Sequence, residues 1–130
     1  MVSSPGNRSP IICIVEDNRD NRDLLLKLLT HHGFAPLVAE NARDFMKLLA
    51  GPLPDLILLD LRLPDCNGLT LVRNIKADPR LRSIPVVALT AFAMPEDREQ
   101  ALNAGCDHYL SKPIDIQELL DTISTVLSRP

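Results

Sequence analysis

Five short apolar runs, each followed by a segment of helical period, constrain this chain more than any other feature. The runs are IICIV, APLVA, DLILL, IPVVALT and DHYLS. The segments between and after them run from about Asn18 to His31, Asn41 to Ala50, Gly68 to Ala77, Pro95 to Asn103 and Ile114 to Leu127. A run that is apolar at nearly every position suits a strand buried on both faces, the usual state in a parallel sheet covered by helices on both sides. Strict alternation of five such strands with five helices predicts a doubly wound α/β fold. At 130 residues the chain has the size of one domain, and no internal repeat divides it. Residues 1–9, rich in Ser, Pro, Gly, Asn and Arg, read as a flexible tail, which leaves 10–130 for the domain.

The helices are marked by period and by caps. Leu24, Leu25, Leu28 and Leu29 form one stripe and are expected in the core, with Asp20, Arg22, Asp23 and Lys27 largely off it. Asn41 suits an N-cap, and Gly51 with Pro52 closes that helix. Pro95 fits a first turn, Glu96 and Asp97 favour the positive end of the helix dipole, and Gly105 suits a left-handed C-cap. Ile116, Leu119, Leu120, Ile123, Val126 and Leu127 form the apolar face of the last helix. His31 and His32 end the first helix before Gly33, where a cation complements the dipole, and no third metal ligand lies near in sequence. His108 is expected at the surface.

A formal net charge of −3 gives no electrostatic footprint for nucleic acid or anionic lipid. No apolar stretch reaches the roughly 18 residues needed to span a bilayer, and no signal-peptide core follows the N-terminus. A cytoplasmic protein is expected. The three cysteines, Cys13, Cys66 and Cys106, show no metal-ligand spacing. Cys13 and Cys106 fall in or at the start of apolar runs, where a thiol packs as a small hydrophobe, and Cys66 falls in a loop.

The chemistry lies where the strands end. Glu16 and Asp17 follow the first strand, Asp60 the third, Thr90 closes the fourth, and Lys112-Pro113 follows the fifth. Open parallel sheets bind ligands beyond the carboxyl ends of their strands. If the first and third strands are neighbours, three carboxylates converge, and such a set recruits a hard cation of the Mg²⁺ kind. Asp17 also suits a helix cap. Asp60 is then the candidate nucleophile for phosphorus, giving an aspartyl phosphate, with Lys112 as a mobile positive charge and Thr90 as a hydroxyl donor for the phosphoryl oxygens. Pro113 restricts the backbone of Lys112 and admits a cis bond.

The segments IICIVEDN, DLILLDLRLPDCNGL, IPVVALTA and GCDHYLSKP resemble the receiver domains of two-component response regulators over about residues 10–128. VEDNRDNRDLL and PVVALTAFAM are further similar to single-domain regulators of the DivK kind. The resemblance implies a flavodoxin-like sheet in the order 2-1-3-4-5, with Mg²⁺, or Mn²⁺ in its place, at the strand ends. It implies phosphorylation of Asp60 by a histidine kinase or histidine phosphotransfer protein. Asp17 and Asp60 match direct metal ligands, the backbone carbonyl of Arg62 a third, and Glu16 a ligand acting through water. Thr90 and Lys112 match the pair that holds phosphoryl oxygens, and Thr90 and Tyr109 match the switch pair. Arg62 and Phe92 flank the path of the water that attacks the phosphoaspartate, so a large apolar side chain beside an Arg implies slow self-dephosphorylation.

The leading expectation is a signalling switch, not an enzyme, that contacts a downstream protein through the face of helix four, strand five and helix five, as a monomer or weak dimer. One alternative is a scaffold that acts without phosphorylation. Another is a Mg²⁺-dependent phosphohydrolase with an aspartyl-phosphate intermediate, which wants an acid two residues after the nucleophile, where this chain has Arg62.

Overall fold

The computed structural model describes residues 9–91 and 94–128. Among them the chain forms β1 (Ile11–Val15), α1 (Arg19–His31), β2 (Ala35–Ala39), α2 (Ala42–Leu48) and β3 (Leu56–Asp60). α3 (Gly68–Ala77), β4 (Val86–Thr90), α4 (Pro95–Ala104), β5 (His108–Ser111) and α5 (Ile116–Leu127) complete it. All strand pairs are parallel and the sheet order is β2-β1-β3-β4-β5, the expected doubly wound architecture. Of the expected tail, only Ser9 lies within the described residues, and Phe92 lies outside them.

Successive residues of a strand point to opposite faces, and here both faces are core. Cys13, Val15, Ile57, Leu59, Val86 and Ala88 meet Phe45 of α2, Val72 and Ile75 of α3 and Ala101 of α4. Ile12, Ile14, Leu56, Leu58, Val87 and Leu89 meet Leu25 and Leu29 of α1 and Leu119, Ile123 and Val126 of α5. That double burial is why the strands carry no polar alternation. Each fully buried Leu or Ile contributes about 1.5–3 kcal/mol over leaving it exposed. At the open edge, the β1-facing positions of β2 include Ala35, whose N–H donates to Pro10 O at 2.9 Å. Alternation turns Pro36 to the free side, where its missing N–H removes a donor that another strand could use.

The sequence differs from the structure in several elements. Asn18, not Asp17, caps α1, its Oδ1 accepting from Asn21 N at 2.9 Å. Leu24 is 50% exposed, so the α1 core stripe narrows to Leu25 and Leu29 with Leu28 partly buried. α2 ends at Leu48, and α5 begins at Ile116 because Asp115 is its N-cap, leaving Ile114 outside. Ile116 itself is exposed. Cys106 precedes β5 yet is buried, as is Cys13, and burial pushes both thiols up to about 12, which keeps them protonated and unreactive. Asn41 and Gly105 do cap as expected, Gly105 with φ 117°, and Pro95 opens the first turn of α4. His31 ends α1 and His32 is its C-cap.

Two long-range polar contacts fasten loops that sequence leaves unassigned. At the amino end of the sheet, Lys76 Nζ from α3 donates to Ile84 O at 2.8 Å and to Asp107 Oδ2 at 3.2 Å, and the same Oδ2 accepts from Val86 N at 2.8 Å. At the carboxyl end, Asp65 caps a helix other than the one it precedes. Its Oδ1 accepts from Ala42 N at 2.9 Å and its Oδ2 from Arg43 N at 3.1 Å, which ties the loop after β3 to the start of α2.

The hydrogen bond from Ala42, with a lesser one from Arg43, holds the Asp65 carboxyl below its ordinary value against the opposing effect of burial. A carboxyl lowered in the folded state stabilises the fold above its unfolded pKa, and that contribution is lost as pH falls through the folded value. Asp65→Asn is therefore expected to unfold at lower urea than the parent at pH 7, with the difference closing below about pH 3.8. Urea titrations at both pH values check this.

Candidate functional site

The chain leaves β1 outward to β2 and then returns across β1 to β3, so the sheet's direction of winding reverses between β1 and β3. Loops on either side of such a point diverge and leave a crevice at the carboxyl ends. Val15 pairs with Leu59 in register, so Glu16 and Asp60 are the next residues along neighbouring strands. One carboxylate oxygen from each of Glu16, Asp17 and Asp60 lies within 4.8 Å of the others. The convergence expected from the strand ends is present.

Glu16 is fully buried and Asp60 is 4% exposed, while Asp17 is exposed. Lys112, just beyond β5, reaches across the crevice. Its Nζ donates to Asp60 Oδ2 at 2.7 Å and lies 2.7 Å from Glu16 Oε1. The second contact is an ion pair without hydrogen-bond alignment, which leaves Glu16 Oε1 a buried oxygen with no hydrogen bond. Asp60 Oδ1 accepts from Arg62 N at 2.8 Å, so both oxygens of Asp60 are oriented. Glu16 Oε2 accepts from Asn18 N at 3.1 Å. Lys112 N donates to Thr90 O at 2.7 Å, which seats the end of β5 beside the end of β4, and the Lys112–Pro113 bond is cis.

Burial, and then the neighbouring Asp60, push the Glu16 carboxyl up to about 6 against the lowering effect of Lys112. Burial would lower the Lys112 ammonium, but its hydrogen bond to Asp60 and its close pairing with Glu16 outweigh that and raise it. Lys112 is thus a fixed positive charge at neutral pH. Three carboxylates against one ammonium leave two formal negative charges in the pocket. A divalent cation balances that sum, and an all-oxygen donor set suits a hard one.

Thr90 is buried and lines, with Asp17, Leu61, Arg62, Cys66 and Asp97, a cavity of about 670 Å³ beside the acids. Cys66 lies there half-buried, with its thiol donating to Asn67 O. Tyr109 of β5 packs against the core cluster on the α4 side, and burial followed by the charge of Asp97 pushes its phenol up. Tyr109 therefore lies at the opposite end of β5 from Lys112, two strand positions before Ser111, which pairs with Thr90.

Two residues of the site carry no obvious signal in sequence. Arg22, on the polar side of α1, donates through Nη1 to the backbone carbonyls of Glu16 at 3.0 Å and Asp17 at 3.4 Å. Gly68, the first residue of α3, packs against the backbone of Leu61, whose N–H donates to Leu89 O. A Cβ on Gly68 would stand 2.5 Å from both Leu61 Cα and Leu61 O. An Arg one turn beyond an acidic pair is the only hint of the first, and a Gly eight residues after Asp60 of the second.

The response regulator receiver domain model matches residues 12–124, and the chain belongs to that family. Such domains act in two-component systems as signalling switches and not as turnover enzymes. Among relatives, the polar-differentiation response regulator DivK of Brucella anthropi is 40% identical over 116 residues, covering 89% of this chain and 94% of that protein. DivK of Brucella ovis is 39% identical with the same coverage. A response regulator from Chloroflexus aurantiacus superposes with a TM-score of 0.89 at 26% identity, covering 94% of this chain and all of that one. The receiver domain of a Pseudomonas aeruginosa sensor histidine kinase, described with a magnesium ion coordinated in its active-site cleft, superposes at 0.85 with 31% identity and the same coverage. No helix among the described residues is long and apolar enough to cross a membrane.

Gly68→Ala is expected to lower unfolding free energy by about 2 kcal/mol, the scale of overpacking against an unyielding neighbour. Here the neighbour is backbone. Urea unfolding gives the energy, and amide chemical shifts of Leu61 and Arg62 report the displacement of the chain after Asp60.

Proposed function

We propose that this chain is a phospho-accepting receiver that takes a phosphoryl group onto Asp60 from a histidine kinase or histidine phosphotransfer protein. The observation that carries the reading is Lys112 Nζ held between buried Asp60 and Glu16, with Asp17 in reach, at the winding reversal of the sheet. A carboxylate oxygen of Asp60 attacks phosphorus, the O–P bond forms as the P–N bond of the phosphohistidine breaks, and the electron pair leaves with the imidazole. Lys112 is released from one carboxylate oxygen to pair with a phosphoryl oxygen, and the Thr90 hydroxyl donates to another.

Asp17, Asp60 and the Arg62 carbonyl would hold Mg²⁺, with Glu16 acting through water. Bound there, Mg²⁺ supplies charge neutralisation for the transferring phosphoryl group. The donor set equally accepts Mn²⁺. New contacts to the phosphoryl group exist in one state only and so bias a two-state equilibrium, with Thr90 and Tyr109 as the moving pair. The readout is a protein contact through α4, β5 and α5. The sequence likeness assigns Arg62, and Phe92 outside the described residues, to slowing hydrolysis of the product.

Intact mass after incubation with acetyl phosphate, with and without Mg²⁺, tests the reading on this chain and on Asp60→Asn. One added phosphoryl group that needs both Mg²⁺ and Asp60 is the expected result. No adduct on folded, metal-bound protein would favour a scaffold independent of phosphorylation, and sustained turnover without an adduct would favour a hydrolase. The rate at which the adduct disappears after the donor is removed reads the slow self-dephosphorylation.

A further inference from the structure

We infer that Arg22 is a positioning residue for divalent-cation binding, one that holds the loop carrying Glu16 and Asp17 in the geometry the cation needs. The inference rests on the reading that the acidic cluster takes Mg²⁺. Asp17 is exposed, and its carboxylate makes no hydrogen bond or ion pair among the described residues. Its place is therefore set by its backbone. Glu16 N is fixed to Ala39 O at 3.0 Å, and Asn18 is fixed as the cap of α1, but the peptide carbonyls between them face Arg22.

The guanidinium satisfies those carbonyls through Nη1 and is itself anchored through Nη2 to Glu40 Oε1 at 3.2 Å. Its side chain is only 13% exposed, so this is a seated contact and not a solvent-borne one. The planar fork connects the end of β1, the start of α1 and the residue after β2 with one group. A lysine here would offer one nitrogen on a shorter stem to acceptors that Arg22 meets with two, Nη1 at the carbonyls and Nη2 at Glu40.

Two effects of Arg22 on a cation oppose each other. Its charge repels a metal ion near it, while its hydrogen bonds remove freedom from two of the ligand-bearing residues. Outer partners that orient metal ligands are worth about 10–100-fold in affinity. The guanidinium charge is already offset by the exposed Glu40 carboxylate it pairs with, so ordering is the larger effect.

The test is an NMR titration of backbone amides with MgCl₂ on the full chain, comparing the parent with Arg22→Lys, Arg22→Gln, Glu40→Gln and Arg19→Gln. Thermal unfolding identifies a temperature at which each is fully folded. Arg19 is a solvent-exposed arginine of the same helix, paired among the described residues with Asp23 at 3.8 Å, and it controls for loss of charge. Arg22→Gln and Arg22→Lys are both expected to raise the Mg²⁺ Kd about tenfold. Glu40→Gln should act in the same direction but less, and Arg19→Gln should leave Kd unchanged.

Unaltered or tighter binding in Arg22→Gln, or parental binding in Arg22→Lys, would overturn the inference, since either result reduces Arg22 to a charge or to nothing. If Arg22→Gln does not fold, Arg22→Lys alone decides. A parent chain whose amides at 16–18 and 60–62 do not respond to Mg²⁺ would overturn the metal reading itself, and the inference with it.

Discussion

Burying two carboxylates side by side is costly, and the Lys112 ammonium, 2.7 Å from both Glu16 and Asp60, is what makes it tolerable in this fold. An isolated buried charge costs several kcal/mol in desolvation, and a like-charged neighbour adds to that. One ammonium cannot cancel three acids, so the pocket keeps a residual demand for positive charge. The raised Glu16 carboxyl is one expression of that demand. A phosphoryl-accepting site needs the same imbalance, because a divalent cation must be drawn in before an anionic donor can approach an anionic nucleophile.

The fold supplies the rigidity that makes the imbalance stable. Each central strand is buried on both faces by helices, so the strand ends are held by two separate core clusters. The acids then sit on a fixed frame, while Lys112 arrives from β5 on the far side of β4, tied down by the bond from its own N–H to Thr90 O. Charge on Asp60 is thereby coupled through Lys112 to the end of β5, the strand that also carries Tyr109. A change at Asp60 has a short physical route to the outer edge of the sheet.

Much of this arrangement could be read from the chain because parallel sheets write their strands as uninterrupted apolar runs and place polar residues at the ends. Glu16, Asp17, Asp60, Thr90 and Lys112 were legible in that way, as were the caps Asn41 and Gly105 and the place of Pro95 in a first turn. Local pattern failed where tertiary packing decides. Leu24 has the spacing of a core residue but lies at the border of a face that Leu25 and Leu29 already fill. Asn18 and Asp17 both suit a cap, and one register position separates a helix cap from an exposed acid at the pocket. Asp65, Lys76 and Arg22 act across 23, 8 and 6 residues respectively, on backbone groups that no side-chain pattern advertises.

The central claim is that Lys112 and a divalent cation answer the same excess of negative charge. Urea unfolding of the parent and of Lys112→Met, each with and without saturating MgCl₂, tests it most directly. Without metal the variant should lose about 3–5 kcal/mol, the scale for removing one partner of a buried ion pair, and saturating Mg²⁺ should restore most of that loss. Equal stability of variant and parent without metal, or a deficit that Mg²⁺ leaves untouched, would contradict the account.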